Sequence, residues 1–350
     1  MATSNAATTY LERRILDYLF KNDSLSFASP GNSLYVGLAT AVGNAEKGNL
    51  TEVSVSSEDA NYTRQQVTAA NWKQSVSTLA VAHNASTTSI ILTDGEAFPS
   101  SGTVTVNDEI ITYTGKNANA TADVNGAVSS STNVTVDGNS GTIVVGMTVT
   151  GTGISGTVRV STVTSQTAIV LDTAVTLSDN TALTFTGSSI LTGATRGASS
   201  TTAASHSASD TVICDQQQVI NDNNIEFSAS SGIASYTVTH AFVTDANIGT
   251  ANVNGAVSGS TSVALDGNAG ATIAVGDIVL NTGASGIVRV ATVTSQSAIT
   301  LDTSVTIADN TTLTFDGGNV LFVGALDASK TIATGDIFRV NAANLTIELK

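Results

Sequence analysis

Residues 122–141 read ADVNGAVSSSTNVTVDGNSG, and residues 251–270 read ANVNGAVSGSTSVALDGNAG. The likeness continues beyond these stretches, so that Ala122 to Gly187 and Ala251 to Gly317 form two copies of one unit. One inserted residue, Ala271, is needed to align the copies, and about two-thirds of the aligned positions are identical. A duplication is the simplest origin of this pattern, and it predicts two β-rich units of the same fold.

Each copy is predicted to be a small β-sandwich or barrel of four to six short strands. In the first copy, Val134-Thr135-Val136 alternates between apolar and polar residues, as in a strand with one buried face. Asn125-Gly126 is a favoured hairpin dipeptide, and Asp137-Gly138-Asn139 is typical of a turn. These signals predict antiparallel strands that are joined by tight turns.

Composition favours β-structure in the rest of the chain as well. Only 12% of the 350 residues are charged, while Thr, Ser, Ala, Val and Asn are abundant. Thr and Val fit pleated sheets, and Gly and Asn fit tight turns. At roughly 150 residues per domain, the length predicts two or three domains. We therefore expect an all-β, nested multi-domain protein of mainly antiparallel sandwich or barrel modules, with one short N-terminal helix.

The net charge of −15 limits the partners that the surface can attract. An acidic surface repels phosphate backbones and anionic membranes, so we expect no nucleic-acid binding and no membrane insertion. No run of about 18 apolar residues is present that could cross a membrane. The first residues, Met1–Ala7, lack the basic and apolar segments of a secretory signal. The sequence thus predicts assembly in a cytoplasm.

One helix is predicted, from Tyr10 to Lys21. Thr9 and Glu12 have the spacing of a capping box. The apolar residues at helical spacing share one face, and they are Leu11, Ile15, Tyr18 and Leu19. This face either packs on the rest of the chain or docks as an arm on a neighbouring subunit.

Two segments that flank the first repeat carry a recognisable pattern. Residues 98–115 read FPSSGTVTVNDEIITYTG, and residues 191–212 read LTGATRGASSTTAASHSASDTV. They resemble the two halves of one contiguous module that occurs in phage structural proteins. Because the halves are almost continuous in that module, the resemblance implies that the first repeat interrupts the connection between them.

The two ends of the chain carry a third set of motifs. The motifs are LYVGLATA at 34–41, Glu52, Tyr62-x-Arg64, FVTDA at 242–246, NVLFVGAL at 319–326, KTIATGD at 330–336 and LTIEL at 345–349. This series resembles a family of small phage proteins, described as tail-fibre or head-associated, in which the motifs lie within one uninterrupted domain. In that family a turn stands where the second repeat lies here.

The resemblance implies a base domain that carries two insertions, one of which contains an insertion of its own. The predicted division gives a base domain of 1–81, 214–250 and 318–350, an inserted β module of 82–121 and 188–213, and repeat units of 122–187 and 251–317. Insertions succeed at exposed loop tips, so the inserted units are expected to project from one surface of the base domain.

The sequence offers little chemistry for catalysis or for binding cofactors and metals. The three histidines, His83, His206 and His240, are scattered along the sequence, and no two of them have metal-ligand spacing. His206 is expected to be a turn residue bonded to the backbone, and Cys214 a small buried apolar residue. Asp108 and Glu109 are adjacent, so in a strand they point to opposite faces and cannot cooperate. We expect no catalytic residue, no metal, no cofactor and no enzyme activity.

Tyr62, Arg64 and Trp72 are candidate interface residues. Tyr and Trp dominate the energetics of many interfaces, although a position in the core is the alternative for both. Arg64, if exposed on this acidic surface, would pair with a carboxylate of a partner.

These features together predict a structural protein of a bacteriophage virion. The favoured role is a capsid-surface decoration or cement protein that binds the major capsid protein and copies of itself as a homo-oligomer. Its β modules would face solvent and contact host surface glycans. A tail or tail-fibre component that contacts the host surface is the first alternative, and a bacterial surface adhesin is the second. A polysaccharide-degrading enzyme would need a carboxylate cluster in a cleft.

Overall fold

A computed structural model describes residues 6–21 and 34–348. The described residues fall into two compact units. The first unit lies within Met1–Trp72 and Asn221–Leu345, and the second within Lys73–Ile220 and Thr346–Lys350. The all-β prediction is confirmed, because antiparallel strands make up most of the described chain. The helical segments are the α-helix Thr9–Lys21 and the 3₁₀-helices Ala45–Lys47 and Ala69–Asn71.

The first unit is built on a six-stranded antiparallel sheet, here called the base sheet. It combines strands from the beginning, the middle and the end of the chain. Their spatial order is Ala6–Ala7, Val320–Ile332, Tyr236–Thr244, Leu34–Asn44 and Asn49–Glu52, and Gln65–Val67 pairs with Leu34–Asn44 as well. A separate two-stranded ladder joins Ile225–Glu226 to Arg339–Val340.

Close contact between the central strands of the base sheet fixes their register. Gly37 lies opposite Phe242, and a Cβ at Gly37 would overlap the Phe242 ring. Val36, Leu38 and Phe242 are buried. Only a glycine at position 37 therefore leaves room for the aromatic ring, which explains why the LYVGL segment and the FVTDA segment fit each other.

The α-helix Thr9–Lys21 agrees with the predicted helix, but its cap does not. Thr8 Oγ1 accepts a hydrogen bond from Leu11 N at 3.4 Å, so Thr8 is the N-cap and the prediction of Thr9 was wrong. Thr8 N donates to Leu321 O at 2.8 Å and Thr8 Oγ1 donates to Val320 O at 2.6 Å. These bonds hold Thr8 beside the base sheet and outside the helix, where an N-cap residue belongs.

The predicted apolar face of the helix is buried only at its start. Leu11 is buried and Ile15 is half-buried. Tyr18 and Leu19 are 52% and 61% exposed, although the sequence pattern places them on the same face. The second half of the helix therefore presents apolar side chains to solvent.

Both repeats fold as closed six-stranded barrels, which decides between the predicted sandwich and barrel. The first barrel, in the second unit, consists of Ala120–Val124, Val128–Ser140, Thr148–Gly151, Val158–Ser165, Ala168–Leu177 and Ala182–Thr186. The second barrel, in the first unit, consists of Ile248–Val253, Val257–Gly270, Ile278–Leu280, Val288–Ser295, Ala298–Ile307 and Thr312–Asp316. Equivalent strands pair in the same order in both barrels.

Bulges in the longest strand allow each barrel to close. Val128–Ser140 pairs with Ala120–Val124 at one end and with Ala168–Leu177 at the other, and its register shifts in both ladders. The predicted turn at Asp137-Gly138-Asn139 is wrong, because these residues lie inside this strand. Gly138 adopts φ +60° at the register shift, a backbone conformation typical of a glycine in a β-bulge. Bulges bend strands, and this strand thus contributes to both sides of the barrel.

Each barrel encloses its own apolar core. The first core contains the fully buried Phe185, and the equivalent residue of the second core is Phe315. Other residues buried at equivalent positions of the two cores are Val134 and Val263, Ile143 and Ile273, Val149 and Val279, Ile169 and Ile299, and Leu183 and Leu313. Most residues of each core come from the barrel's own strands, and Ile190 and Ile91 from outside the first barrel also pack on its core.

Three smaller sheets lie almost wholly in the second unit, and only Trp72 and Asn221 of their residues belong to the first. The first has the strand order Val76–Thr78, Thr211–Cys214, Gly102–Val106 and Glu109–Tyr113. The second has the order Gly115–Lys116, Ile190–Thr192 and Ile90–Ile91. The third has the order Thr346–Glu348, Gln218–Asn221 and Trp72–Gln74. Strands on either side of the first barrel thus pair with each other. The predicted division assigns 214–250 and 318–350 to the base domain, although the strands Gln218–Asn221 and Thr346–Glu348 pair within this group. The division itself stays a prediction.

Phe185→Ala is expected to destabilise the first barrel by about 3–5 kcal/mol, because it removes a fully buried ring and leaves a cavity. Calorimetry and amide hydrogen exchange on the full chain can measure the loss, with exchange in the second barrel expected to stay unchanged. Thr184→Ala is the matched control, since the Thr184 side chain is the exposed neighbour on the same strand. Equal losses for the two variants would contradict the assignment of this core.

Candidate functional site

A buried guanidinium group lies at the point where the second barrel joins the base sheet. Arg64 Nε and Nη2 donate to the two carboxylate oxygens of Glu52 at 2.9 and 2.6 Å. Its Nη2 also donates to Asp316 Oδ1 at 2.5 Å, while Nη1 donates to Ala246 O and Gly317 O at 2.8 and 3.1 Å. Because residues 246 and 317 flank the second barrel, Arg64 binds both chain segments that lead into it.

Tyr62 connects this cluster to the core of the base sheet. Its hydroxyl donates to Glu52 Oε1 at 2.7 Å and accepts a hydrogen bond from Leu38 N at 2.9 Å. Its ring stacks on Phe227 with 6.0 Å between centroids. Burial and the neighbouring Glu52 raise the pKa of Tyr62 well above its ordinary value. The hydroxyl therefore stays protonated and serves as a hydrogen-bond donor.

Arg64 remains charged in spite of its burial. Desolvation lowers the pKa of Arg64, but the Glu52 and Asp316 carboxylates outweigh this effect and raise it. The guanidinium carbon also lies 5.3 Å from the centre of the Phe242 ring, within the range of cation–π attraction. Arg64 is 4% exposed and Tyr62 is 5% exposed. The structure thus gives both side chains partners within the chain, and their interface role stays a prediction.

A second set of hydrogen bonds joins the two chain segments that lead into and out of the second barrel, here called its neck. Asn319 N and Nδ2 donate to the Asp245 carboxylate at 2.5 and 3.1 Å. Gly318 adopts φ +85°, and a Cβ there would lie 2.6 Å from Asp245 Oδ1. Asp245 and Asn319 belong to two separate sequence motifs, and the structure shows that the motifs meet as a turn-like neck.

Trp72 is not part of this cluster. It begins the strand Trp72–Gln74 and is half-buried. The structure therefore brings Tyr62 and Arg64 together and leaves Trp72 apart, and its interface role also stays a prediction.

A buried carboxylate organises the loops of the second unit. The Glu109 side chain is 1% exposed, and Arg196 Nε and Nη2 each donate to it at 2.8 Å. Gly197 N and Ala204 N donate to it at 2.8 and 3.0 Å. His206 Nε2 lies 2.7 Å from Oε2. Since an ionised carboxylate only accepts hydrogen bonds, the His206 ring nitrogen is the donor.

The Glu109 cluster corrects the expectation for His206. Its backbone pairs with that of His83, but its ring binds a carboxylate and not the backbone, so the prediction for the side chain was wrong. The sequence signal was present, because Glu109 lies in one half of the module pattern and Arg196 and His206 lie in the other. Spacing alone could not reveal it, since the three residues meet only when the halves fold together.

The hydrogen bonds fix the charge of Glu109. Burial alone would raise the pKa of Glu109, but the hydrogen bonds from Arg196, Ala204, His206 and Gly197 outweigh burial and hold it at about 2. Every oxygen of this carboxylate is occupied by donors of the same chain. Its chemistry is therefore that of a structural anchor, and not that of a general acid or base, which needs a pKa near the operating pH.

Neither of two surface clefts carries the carboxylates that glycoside cleavage requires. Each has a volume of about 480 Å³. The first is lined by segments 125–135 and 164–170, and the second by segments that include His83 and Ile91. Both linings lack Asp and Glu. The part of the chain that the structure describes also contains no group of three His, Cys, Asp or Glu that could hold a metal ion, and Cys214 is buried, as predicted.

Arg64→Met is expected to destabilise the first unit by about 3 kcal/mol, because it leaves the largely buried Glu52 carboxylate and the partly exposed Asp316 carboxylate without their cation. Chemical unfolding of the full chain can measure this loss. Arg339→Met is the matched control, since the Arg339–Glu226 pair is about half exposed and surface pairs contribute below about 1 kcal/mol. Similar losses for both variants would show that Arg64 does not hold together the two chain segments, at residues 246 and 317, that lead into the second barrel.

Glu109→Gln is expected to lower the free energy of unfolding of the second unit and to make that free energy depend less on pH in the acid range. The pKa of Glu109 is lowered to about 2 on folding, from an ordinary value of about 4.3. Its contribution is therefore complete above that ordinary value and is lost as the pH falls toward 2. Unfolding experiments between pH 7 and pH 2 test this sign. Asp108→Asn, at the exposed neighbouring carboxylate, should leave the curve unchanged, and an equal effect of both variants would exclude the anchor role.

Comparison with known proteins gives one relationship. Residues 6–155 and 284–348, more than half of the chain, match the family model for podophage GP4 fiber I protein gp80. The match breaks at Ser155 and resumes at Ala284, which are almost equivalent positions of the two repeats, so the matched parts together contain one complete copy of the repeat. No curated protein and no solved structure matches the chain.

The α-helix of the described chain is too short and too polar to cross a membrane.

The family match covers most strands of the base sheet and includes Glu52, Arg64 and Asn319 of the first unit. It also includes Glu109 of the second unit. The chain therefore belongs to the podophage GP4 fiber I protein gp80 family and is a phage structural protein.

Proposed function

We propose that this protein is a fibre component of a podophage virion, whose partners are other virion proteins and copies of itself. The observation that carries the proposal is the family match, which spans both compact units and names a fibre protein. A fibre component acts by attachment and shape, and the described residues contain features that suit such a role: a six-stranded base sheet, closed barrel modules and an apolar surface for attachment.

The polar clusters support a structural role and not an enzymatic one. Arg64 and Glu109 are buried and bonded to groups of the same chain. A catalytic group needs an open position for its substrate, and neither cluster has one. Both clusters instead connect segments that are distant in sequence, which is what a protein exposed on a particle needs in order to keep its shape.

The closed barrels are suited to solvent-exposed positions on a particle. A closed barrel has no unpaired edge strand, so it offers no template for aggregation with neighbouring copies. Such modules can be crowded on a virion without pairing indiscriminately. The acidic net charge of −15 adds mutual repulsion between copies.

The second half of the α-helix is the best candidate for attachment to the particle. Leu16 and Phe20, which are one turn apart, are 55% and 79% exposed, and Leu19 is 61% exposed. Clusters of exposed apolar side chains mark interaction sites. This supports the predicted docking of the helix as an arm, while Leu11 keeps its first turn on the base sheet.

Antibody labelling of intact particles under the electron microscope tests the proposal. Label on the tail or its fibres, with on the order of a dozen copies per particle from quantitative mass spectrometry, is the expected result. Label distributed over the head with hundreds of copies would contradict the fibre role and favour capsid decoration.

A chain with Leu16→Asp and Leu19→Asp should fold but be lost from particles, whereas Thr184→Asp on an exposed barrel position should be retained.

A further inference from the structure

Each barrel carries an Asn–Gly dipeptide in the turn between its first two strands. Asn125-Gly126 follows the strand Ala120–Val124 of the first barrel, and Asn254-Gly255 follows the strand Ile248–Val253 of the second. All four residues of the two dipeptides are exposed. Their glycines have positive φ angles, +88° in the first turn and +79° in the second. The two glycines therefore have similar backbone conformations, and both turns are open to water.

An exposed Asn–Gly dipeptide is open to deamidation. The backbone nitrogen of the glycine attacks the side-chain carbon Cγ of the asparagine, and glycine has no side chain to hinder the attack. The bond between this nitrogen and Cγ forms, the bond between Cγ and Nδ2 breaks, and ammonia leaves with the proton of the backbone nitrogen. Water then opens the cyclic imide to aspartate or isoaspartate. The step therefore requires the glycine N–H to give up its proton and the peptide group to turn towards Cγ.

In the first barrel, hydrogen bonds hold the reacting peptide group at both ends. Gly126 N donates to Asp179 Oδ1 at 2.7 Å. Thr135 Oγ1 donates to Asn125 O, the carbonyl oxygen of the same peptide group. Asn125 N also donates to Thr135 O at 2.9 Å. These bonds keep the proton on Gly126 N and restrain the peptide group from turning, so they oppose the reaction.

In the second barrel, one of these bonds is missing. Asn254 N donates to Ala264 O at 2.9 Å, so Ala264 takes the place of Thr135 and offers no hydroxyl group to Asn254 O. Gly255 N donates to Asp309 Oδ1 at 2.7 Å, as Gly126 N does to Asp179. The peptide group is therefore held at its nitrogen and lacks the bond that the hydroxyl group makes to the carbonyl oxygen in the first barrel.

The acceptor for Gly255 N is also shared with another donor. Asp309 Oδ1 accepts a second hydrogen bond from Asn310 N at 3.0 Å, and Asp309 Oδ2 accepts one from Asn310 Nδ2 at 3.0 Å. A carboxylate whose oxygens serve several donors binds each of them less strongly. Both differences make the Asn254–Gly255 peptide group easier to turn than its counterpart in the first barrel.

We propose that Asn254 is a modification site at which spontaneous deamidation converts the amide into a carboxylate, and that Asn125 is its protected counterpart. The reaction consumes water and releases ammonia, and it requires no enzyme. Thr135 and Ala264 decide the difference, because the hydroxyl group of Thr135 holds the carbonyl oxygen of the reacting peptide group. The inference concerns the chain itself and does not depend on its place in the virion.

The modification alters one end of the second barrel. Val253 N donates to Thr311 O and Asn310 N donates to Val253 O, both at 2.9 Å, so the turn is joined to the loop before the last strand. A carboxylate at position 254 repels the Asp309 carboxylate that binds Gly255, and isoaspartate adds an atom to the backbone of the turn. Amide hydrogen exchange at Val253 is therefore expected to become faster after the modification.

Peptide mass spectrometry of the full chain during storage at mildly alkaline pH tests the proposal. The fraction of aspartate and isoaspartate at each site is followed with time, and a sample taken before storage gives the background. Asn254 is expected to convert about fivefold faster than Asn125, which is the effect of one typical hydrogen bond.

The exposed positions 135 and 264 provide matched variants. Ala264→Thr supplies the missing hydroxyl group and should slow the conversion of Asn254 about fivefold. Thr135→Ala removes the hydroxyl group and should speed the conversion of Asn125 about fivefold. In each variant the unsubstituted barrel is the internal control.

Asp179→Ala tests the bond at the nitrogen of the peptide group. It removes the charged acceptor for Gly126 N, so the conversion of Asn125 should become about tenfold faster. Slower conversion in this variant would show that the Asp179 carboxylate takes up the proton as a base, and it would overturn the protective role.

Two further results would overturn the proposal. The first is conversion of Asn125 at a rate equal to or above that of Asn254 in the unsubstituted chain, a comparison that does not depend on the folding of any variant. The second is an Ala264→Thr chain that folds, as judged by circular dichroism, and converts Asn254 at the unsubstituted rate. Both results would leave the fibre role intact.

Discussion

Pairing of Tyr236–Thr244 with Leu34–Asn44 on one side and Val320–Ile332 on the other is the constraint on which the first unit depends. The second barrel lies between two of these strands in the sequence, so its entry and exit must lie where neighbouring strands end. Arg64 then binds Ala246 O and Gly317 O at that place. A strand pairing between distant segments thus creates a stem, and one buried cation holds it closed.

Buried charge has the same use in both units. Arg64 in the first and Glu109 in the second each bind segments that are far apart in the sequence, through charged and backbone hydrogen bonds. A buried ion that loses its partner costs several kcal/mol, so alternative loop arrangements are disfavoured. This explains the presence of charged residues such as Arg64 and Glu109 within the motifs.

Two copies of one sequence unit have acquired different surfaces on one fold. The cores are conserved between them, because equivalent apolar residues fill both barrels. The outer faces have diverged, with Thr157 in one barrel and Ile287 in the other. Substitutions inside a barrel are limited by volume, whereas those on its outer surface are not.

The sequence by itself determined the all-β class, the duplication, the helix Thr9–Lys21 to within one residue and the burial of Cys214, because alternation, turn residues and apolar spacing act locally. Only the tertiary structure decided that Asp137–Asn139 is a bulge, that Thr8 is the helix cap and that Tyr62 and Arg64 are buried. It also decided that His206 binds Glu109. Each of these depends on a partner that is remote in the chain, and no local pattern encodes which distant segment will supply it.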